Sequence, residues 1–256
     1  MEARTPCRAA GSAAGGAMMR LAECPLSGPV SAEATCRRFH EIGFAIVPDV
    51  ISPTDCSRLL PLIERPAEGR AGSRAMLRMD WCRELALALS RHPSIAPLLP
   101  PGSVPVQCTL FEKSAEKNWL VAFHQDQSIP VAEATDSRGR TGWSVKDGLT
   151  FVQAPPDVLA QMVALRLQLD APDGSDGALR VIPGSHRNGK VLEAEIDHFR
   201  AAQAEVTCRV EQGGVLVMRP LLLHASSKIV GSQPRRVLHF LFGPAALPHG
   251  LRWPEC

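Results

Sequence analysis

The sequence predicts a mainly β protein, a jelly-roll core of about eight strands preceded by a short helical region. Three observations point there. After Pro100-Pro101-Gly102 the chain becomes a series of short apolar runs separated by Gly, Pro and Asp clusters, the texture of an antiparallel sandwich or barrel. Before that point apolar residues recur at helical spacing between capping and stop signals. The length of 256 residues, 45% hydrophobic and 21% charged, suits one such domain with additions.

Taken in order, residues 1–29 are Ala/Gly-rich and aperiodic and are expected to form a flexible tail. Residues 30–256 are expected to form a single domain. Its helical part, 30–100, begins with a helix over 31–41, with Ser31 as N-cap and Gly43 as the stop. A short strand follows at Phe44-Ala-Ile-Val47. Ser52-Pro-Thr-Asp55 then opens a second helix in which Cys56, Leu59, Leu60 and Ile63 share a face, and a third is expected over 80–91. The jelly-roll core, 104–245, takes strands at 104–113, 119–124, 149–153, 162–170, 178–182, 207–210, 215–219 and 236–242. A helical insertion at 192–204 interrupts them. The long polar loop 132–147, which holds Arg138, Arg140 and Trp143, reads as a lid over the barrel mouth. Residues 246–256 are a C-terminal extension.

Composition excludes several classes of function. The formal charge is +2 and the arginines are scattered, so neither a nucleic-acid stripe nor a polybasic membrane anchor is expected. No run of about 18 apolar residues and no secretory apolar core occurs. The eight cysteines, at 7, 24, 36, 56, 82, 108, 208 and 256, form no C-x-x-C pair or tight cluster and read as reduced packing residues. The expectation is a cytoplasmic protein acting on a small molecule, its oligomeric state open; an organelle-targeting role for the tail, which carries Arg4, Arg8 and Arg20, is the weaker alternative. With no tyrosine among 256 residues, no phenol can serve as acid, nucleophile or radical, and chemistry must come from His, carboxylate or Cys.

Of the eight histidines, only His124 has a carboxylate two residues on, in His124-Gln125-Asp126. Residues i and i+2 of a strand face the same side, so this pair offers two ligands to one metal. A third is available from His224, which ends the apolar run Leu221-Leu-Leu; read alone, it is more readily a buried core histidine than a ligand. Two His and one Asp make the facial triad that leaves positions open on a non-heme Fe(II). Arg235, eleven residues after His224, can hold a dicarboxylate bidentately, and Arg236 is its alternative because neighbours on a strand face oppositely.

The ordered set Phe39-His-Glu-Ile-Gly-Phe-Ala-Ile-Val-Pro48, His124-Gln-Asp126, Gly177-Ala-Leu-Arg-Val-Ile-Pro-Gly-Ser-His186, His224-Ala-Ser226 and Pro234-Arg-Arg236 resembles the phytanoyl-CoA dioxygenase family. The resemblance runs from about residue 37 to 243. It implies a double-stranded β-helix of the cupin-like jelly-roll type, with the N-terminal helices packed on it. It also implies an Fe(II)/2-oxoglutarate-dependent oxygenase that consumes O2, releases succinate and CO2 and hydroxylates an aliphatic C–H bond. His124, Asp126 and His224 would bind iron, and Arg235, helped by Ser226, would hold the far carboxylate of 2-oxoglutarate. Retention of Asp126 favours hydroxylation over halogenation, since related halogenases lack that carboxylate.

Softer carry-over places Thr109, four before the family's Lys, at the cosubstrate, and Arg74 where the family uses a Lys, with Arg70 and Arg78 as neighbours. Arg166 stands where the family often has Trp, facing the same side as Gln168 and Asp170, and could serve either cosubstrate or an acidic substrate group. Gln125, Gln168 and Trp143 are expected at the substrate, with Trp119 a further possibility. His40, His92, His186, His198, His239 and His249 take structural roles. Two other readings stay open: a binding or regulatory protein that keeps the fold without turnover, and a cupin-like metalloenzyme that does not use 2-oxoglutarate.

Overall fold

The structure is a computed structural model that describes residues 32–63, 72–134, 142–172, 177–231 and 233–255. The expected tail 1–29, together with Ser31, Arg70, Arg138 and Arg140, lies outside the described residues. Helix α1 (Ala32–Ile42) leads into β1 (Phe44–Val47), and α2 (Pro53–Leu59) follows. Gly43 stops α1 at a φ of 86°, a conformation in which glycine alone avoids strain. Ser52 caps α2 by accepting from the Asp55 N–H at 3.0 Å. After the two-residue β2 (Gly72–Ser73) comes α3 (Asp80–Arg91).

The remaining strands are β3 (Val104–Lys113), β4 (Val121–His124), β5 (Ser128–Val131), β6 (Ser144–Lys146), β7 (Leu149–Gln153), β8 (Val163–Gln168), β9 (Leu179–Val181), β10 (Val206–Cys208), β11 (Val215–Met218), β12 (His224–Ser226) and β13 (Arg235–Gly243). Two short helices, α4 (Pro156–Ala160) and α5 (Ile196–Ala202), lie between them. The described strands form a six-stranded sheet in the order β1-β11-β8-β13-β3-β2, a four-stranded sheet β10-β9-β12-β4 and a three-stranded sheet β5-β7-β6. All the strand pairings are antiparallel, and the non-sequential order is that of a jelly roll. No helix among the described residues is long and apolar enough to cross a membrane.

Strand alternation explains the two main cores. On one face of the large sheet Leu165, Leu167, Leu238, Phe240, Cys108 and Leu110 pack against the N-terminal helices through Phe39, Cys56, Cys82 and Leu89. On the other face Ala164, Leu216, Met218 and Leu241 meet Leu179, Val181, Val206 and Ile129 from the smaller sheets. The residues between the helix-facing ones therefore point into the barrel: Arg166 and Gln168 on β8, and Arg235, Val237 and His239 on β13. On β3 the parity is reset by a bulge, since Leu241 pairs Gln107 while Phe242 pairs Pro105. Thr109, Phe111 and Lys113 then share the interior face.

Several expectations need correction. The loop expected over 132–147 contains a strand, β6, which pairs with β7; polar Ser144 and Lys146 hid the alternation there. Strands β5 and β12 are short and were not expected: Pro130 masks the first and the apolar run before His224 hides the start of the second. The insertion at 192–204 is a 3-10 turn, Glu193–Glu195, followed by the seven-residue α5. The expected strand 119–124 begins only at Val121.

Candidate metal centre

Antiparallel pairing of β4 with β12 sets His124 directly opposite His224, with ring centroids 4.3 Å apart. Asp126 follows β4, tied by its N–H to the Pro220 carbonyl at 2.9 Å. The ligand atoms of His124, Asp126 and His224 all lie within 4.8 Å of one another. His124 Nε2 is 3.7 Å from Asp126 Oδ1, and His224 Nε2 is 3.7 Å from Oδ2.

Both imidazoles are oriented the same way. His124 Nδ1–H donates to the Ala122 carbonyl at 2.9 Å, and His224 Nδ1–H donates to the Leu222 carbonyl at 2.8 Å. A carbonyl only accepts, so each ring carries its proton on Nδ1 and turns an Nε2 lone pair toward Asp126. Burial pushes His224 down to about 4, against the pull of Asp126. For Asp126 burial acts to raise the carboxyl, but His224, His239, His124 and Arg166 outweigh it and hold it below the ordinary carboxylate value. Two neutral imidazoles and one carboxylate in the ionised state are the forms a divalent metal requires.

An inner cavity of about 100 Å³ adjoins this cluster. Its charged and polar wall is Lys113, Arg166, Ser226 and Arg235; its apolar wall includes Phe111, Trp119, Leu179 and Val237. Lys113 Nζ donates to Ser226 Oγ at 2.9 Å and to the Ser227 carbonyl at 2.6 Å. Burial, then Arg235 and Arg166, lower Lys113 to about 8. Arg235 donates to the Gly177 carbonyl at 3.3 Å. Gly177 has φ of 62°, and a Cβ there would sit 2.5 Å from the Ser227 carbonyl oxygen, so a side chain would push apart the loops that carry Arg235's acceptor and Ser226. Arg236 faces the other way, its side chain bidentate on Asp170 at 3.0 and 2.5 Å.

An outer cavity of about 330 Å³ shares His124 and Asp126 with the inner one. Arg74, Lys146, Gln107, Thr109, Gln127 and His239 line it, with Phe151, Leu159 and Leu241 as apolar wall. Thr109 accepts from Gln107 Nε2 at 2.8 Å. Arg74 is 3.6 Å from Asp147. Gln125 borders this cavity, while its amide braces the fold: Nε2 donates to the Gly189 and Leu221 carbonyls and Oε1 accepts from the Val191 N–H. Gln168 is buried and donates to the Asp170 carbonyl. Trp143 is partly buried and packs on the core between the large sheet and the smaller ones. The structure thus brings Ser226, Arg166 and Arg235 to the inner cavity and Thr109 and Arg74 to the outer one, and it leaves Gln168 and Trp143 off both linings.

Two residues escaped the reading of the sequence as site residues. Lys113 ends β3 on its interior face. His239, taken there as structural, lies with Nε2 3.8 Å from Asp126 Oδ2 and with Nδ1 2.9 Å from an Arg166 amino group. The available signal was the period of two: Arg235 inward on β13 brings His239 inward as well.

A model of the phytanoyl-CoA dioxygenase (PhyH) family matches residues 39–237. The chain belongs to this family. At family level it is a 2-oxoglutarate-dependent oxygenase with iron and 2-oxoglutarate as its cofactor and cosubstrate. No curated protein sequence matches. Among solved structures of the same fold are EctD from S. alaskensis (TM-score 0.61, 17% identity, 92% of this chain and 85% of that one) and HygX from Streptomyces hygroscopicus with nickel and 2-oxoglutarate bound (TM-score 0.56, 18% identity, 85% and 88%). A third is SnoK, a non-heme alpha ketoglutarate dependent carbocyclase from nogalamycin biosynthesis (TM-score 0.58, 16% identity, 86% and 88%).

Proposed function

We propose that this PhyH protein oxidises an aliphatic C–H bond of a small-molecule substrate, hydroxylation being the simplest outcome, with His124, Asp126 and His224 as the iron ligands. The observation that carries the reading is the contact between a three-ligand cluster, its two Nε2 lone pairs turned toward the carboxylate, and a small cavity walled by three cations. The donor set suits a borderline divalent metal that keeps open positions. The cavity suits a dicarboxylate.

Iron and 2-oxoglutarate, when bound, supply the oxygen activation and the oxidising equivalents. The chain's own residues do the positioning. Arg235 and Lys113, with the Ser226 hydroxyl, hold the far carboxylate of the cosubstrate in a site whose low polarity strengthens each charged contact. Phe111, Trp119, Leu179 and Val237 keep water from that space. The outer cavity holds the substrate, with Gln107 and Thr109 as polar contacts and Phe151, Leu159 and Leu241 as the apolar floor. Lys146 faces this space, as does Arg74, which is paired with Asp147; a substrate carrying an anionic group would find a cation there in Lys146. SnoK and SnoN, named as a carbocyclase and an epimerase, share the fold, so product analysis and not the ligand set decides the outcome.

The test is anaerobic addition of Fe(II) and then 2-oxoglutarate. A visible charge-transfer band is expected with the wild type and none with His124→Ala. No band with the wild type, and no succinate formed in air with any substrate, would overturn the reading.

A further inference from the structure

His239 lies within 4 Å of Asp126 yet outside the cluster of three mutually close ligand atoms. What it does there follows from its other ring nitrogen. An Arg166 amino group sits 2.9 Å from His239 Nδ1. A guanidinium has donors and no acceptor, so Nδ1 must offer its lone pair, and the proton of the neutral ring is on Nε2. That is the reverse of His124 and His224, whose Nδ1–H groups are spent on backbone carbonyls. The Nε2 of His239 therefore faces Asp126 Oδ2 as an N–H donor, where the other two rings present lone pairs.

The arrangement is built into the sheet. His239 pairs with Arg166 on β8 and with Thr109 on β3, so all three occupy one rung of the large sheet and face the interior. Arg166 is fixed in turn by Phe111, whose ring centroid lies 5.4 Å from the guanidinium carbon. Phe111 also meets the His239 ring edge-on at 5.8 Å. Asp126 follows the end of β4, and its side chain is about a third exposed. The 3.8 Å separation is longer than a hydrogen bond, as such contacts commonly are before a site is loaded.

We propose that His239 is a positioning residue for the metal centre: held as the Nε2–H tautomer by Arg166, it donates to Asp126 and sets the orientation in which that carboxylate ligates the metal. This rests on the metal-centre reading of His124, Asp126 and His224. It also gives Arg166 a role apart from holding cosubstrate or substrate, namely keeping a third nearby imidazole from acting as a ligand.

Two measurements test it. In the apo wild type, nitrogen-15 correlation spectra of the histidine rings should show His239 protonated at Nε2 and His124 and His224 protonated at Nδ1. His239 protonated at Nδ1 overturns the proposal without any variant having to fold. Second, Co(II) is titrated without 2-oxoglutarate into wild type, His239→Leu and His239→Gln, following the visible ligand-field bands, with thermal unfolding of the apo forms as the control for folding. Loss of a partner that orients a ligand costs about 10–100-fold in metal affinity. His239→Leu should show that loss and altered bands. His239→Gln, which keeps an N–H donor, should recover most of the affinity and the wild-type bands. Unchanged Co(II) binding and spectrum in His239→Leu overturn the proposal, as does a Gln variant as impaired as Leu. If the wild type itself binds no Co(II), the metal-centre reading fails and this proposal falls with it, an outcome distinct from the others.

Discussion

Lys113 and Arg235 come from neighbouring strands at the same rung, paired across β3 and β13, and both side chains reach the inner cavity. Lys113 is lowered to about 8, by burial first and by the Arg235 charge next. A dicarboxylate seated between them relieves that repulsion.

Binding of 2-oxoglutarate should accordingly depend on pH. Lys113 is charged below about 8 and neutral above it, so affinity holds on the acid side and falls as pH rises through that value. Calorimetric titration of the metal-loaded protein at pH 7 and pH 9, in buffers of different ionisation enthalpy, should show weaker binding and proton uptake at the higher pH. Lys113→Met should bind more weakly at pH 7 and lose that pH dependence.

Arg235 and Arg236 should separate binding from stability. Arg235→Ala removes one partner of a buried charge contact, a loss of about 2–5 kcal/mol in cosubstrate binding, read as a rise in the 2-oxoglutarate dissociation constant with folding little changed. Arg236→Ala breaks the pair with Asp170, which is partly exposed, and should cost roughly 1–2 kcal/mol of stability while leaving cosubstrate affinity near wild type. Urea unfolding and the charge-transfer titration distinguish the two.

Acid should unfold the apo protein early. His224 and His239 are lowered in the fold to about 4 and about 3, both chiefly by burial, from an ordinary value of 6.5. Their neutral forms suit the fold, so their contribution is complete above about pH 6.5 and drains away as pH falls toward those lowered values. Between roughly pH 6 and 4 the unfolded chain binds up to two more protons from this pair, a slope of up to about 2.7 kcal/mol per pH unit. Urea midpoints at pH 7, 5.5 and 4.5 measure it; a midpoint that does not move across this window contradicts the burial of both rings.

Gly177→Ala should act at a distance. The substitution strains a backbone at φ of 62° and sets a methyl against the Ser227 carbonyl, a cost of about 1–3 kcal/mol. Because that carbonyl accepts from Lys113 and the Gly177 carbonyl accepts from Arg235, weaker 2-oxoglutarate binding should accompany the lower melting temperature.

The sequence made His124 and Asp126 legible through their spacing of two, read as one face of a strand; β4 ends at His124 and Asp126 lies just beyond it, held in place by its backbone bond to Pro220. His224 and Arg235 were open candidates by residue type and spacing, and the family resemblance was needed to choose them and to add Ser226, since each sits on an element whose neighbours come from distant parts of the chain. Long strands such as β3 and β7, with their alternating or apolar runs, stood at their expected places. Three-residue β6 and β12 did not, because polar Ser144 and Lys146 hide the first and the apolar run before His224 hides the start of the second. Lys113 and His239 went unread for a further reason. Their roles depend on which strand lies beside which, and the order β8-β13-β3 is not written in local pattern.

The bulge between β4 and β12 carries one more consequence. His224 pairs with His124, yet Ser226 pairs with Val121, so β4 holds one residue more than its partner requires. Val121 and His124 are an odd number apart and still both line the inner cavity, which a regular strand forbids. Removing the exposed Ala122 would make the ladder regular and turn either Val121 or His124 away, whereas replacing Ala122 by another residue would leave both in place. Ala122 should therefore accept a wide range of substitutions and no deletion: what this position encodes for the site is a count of residues, and its own side chain is secondary.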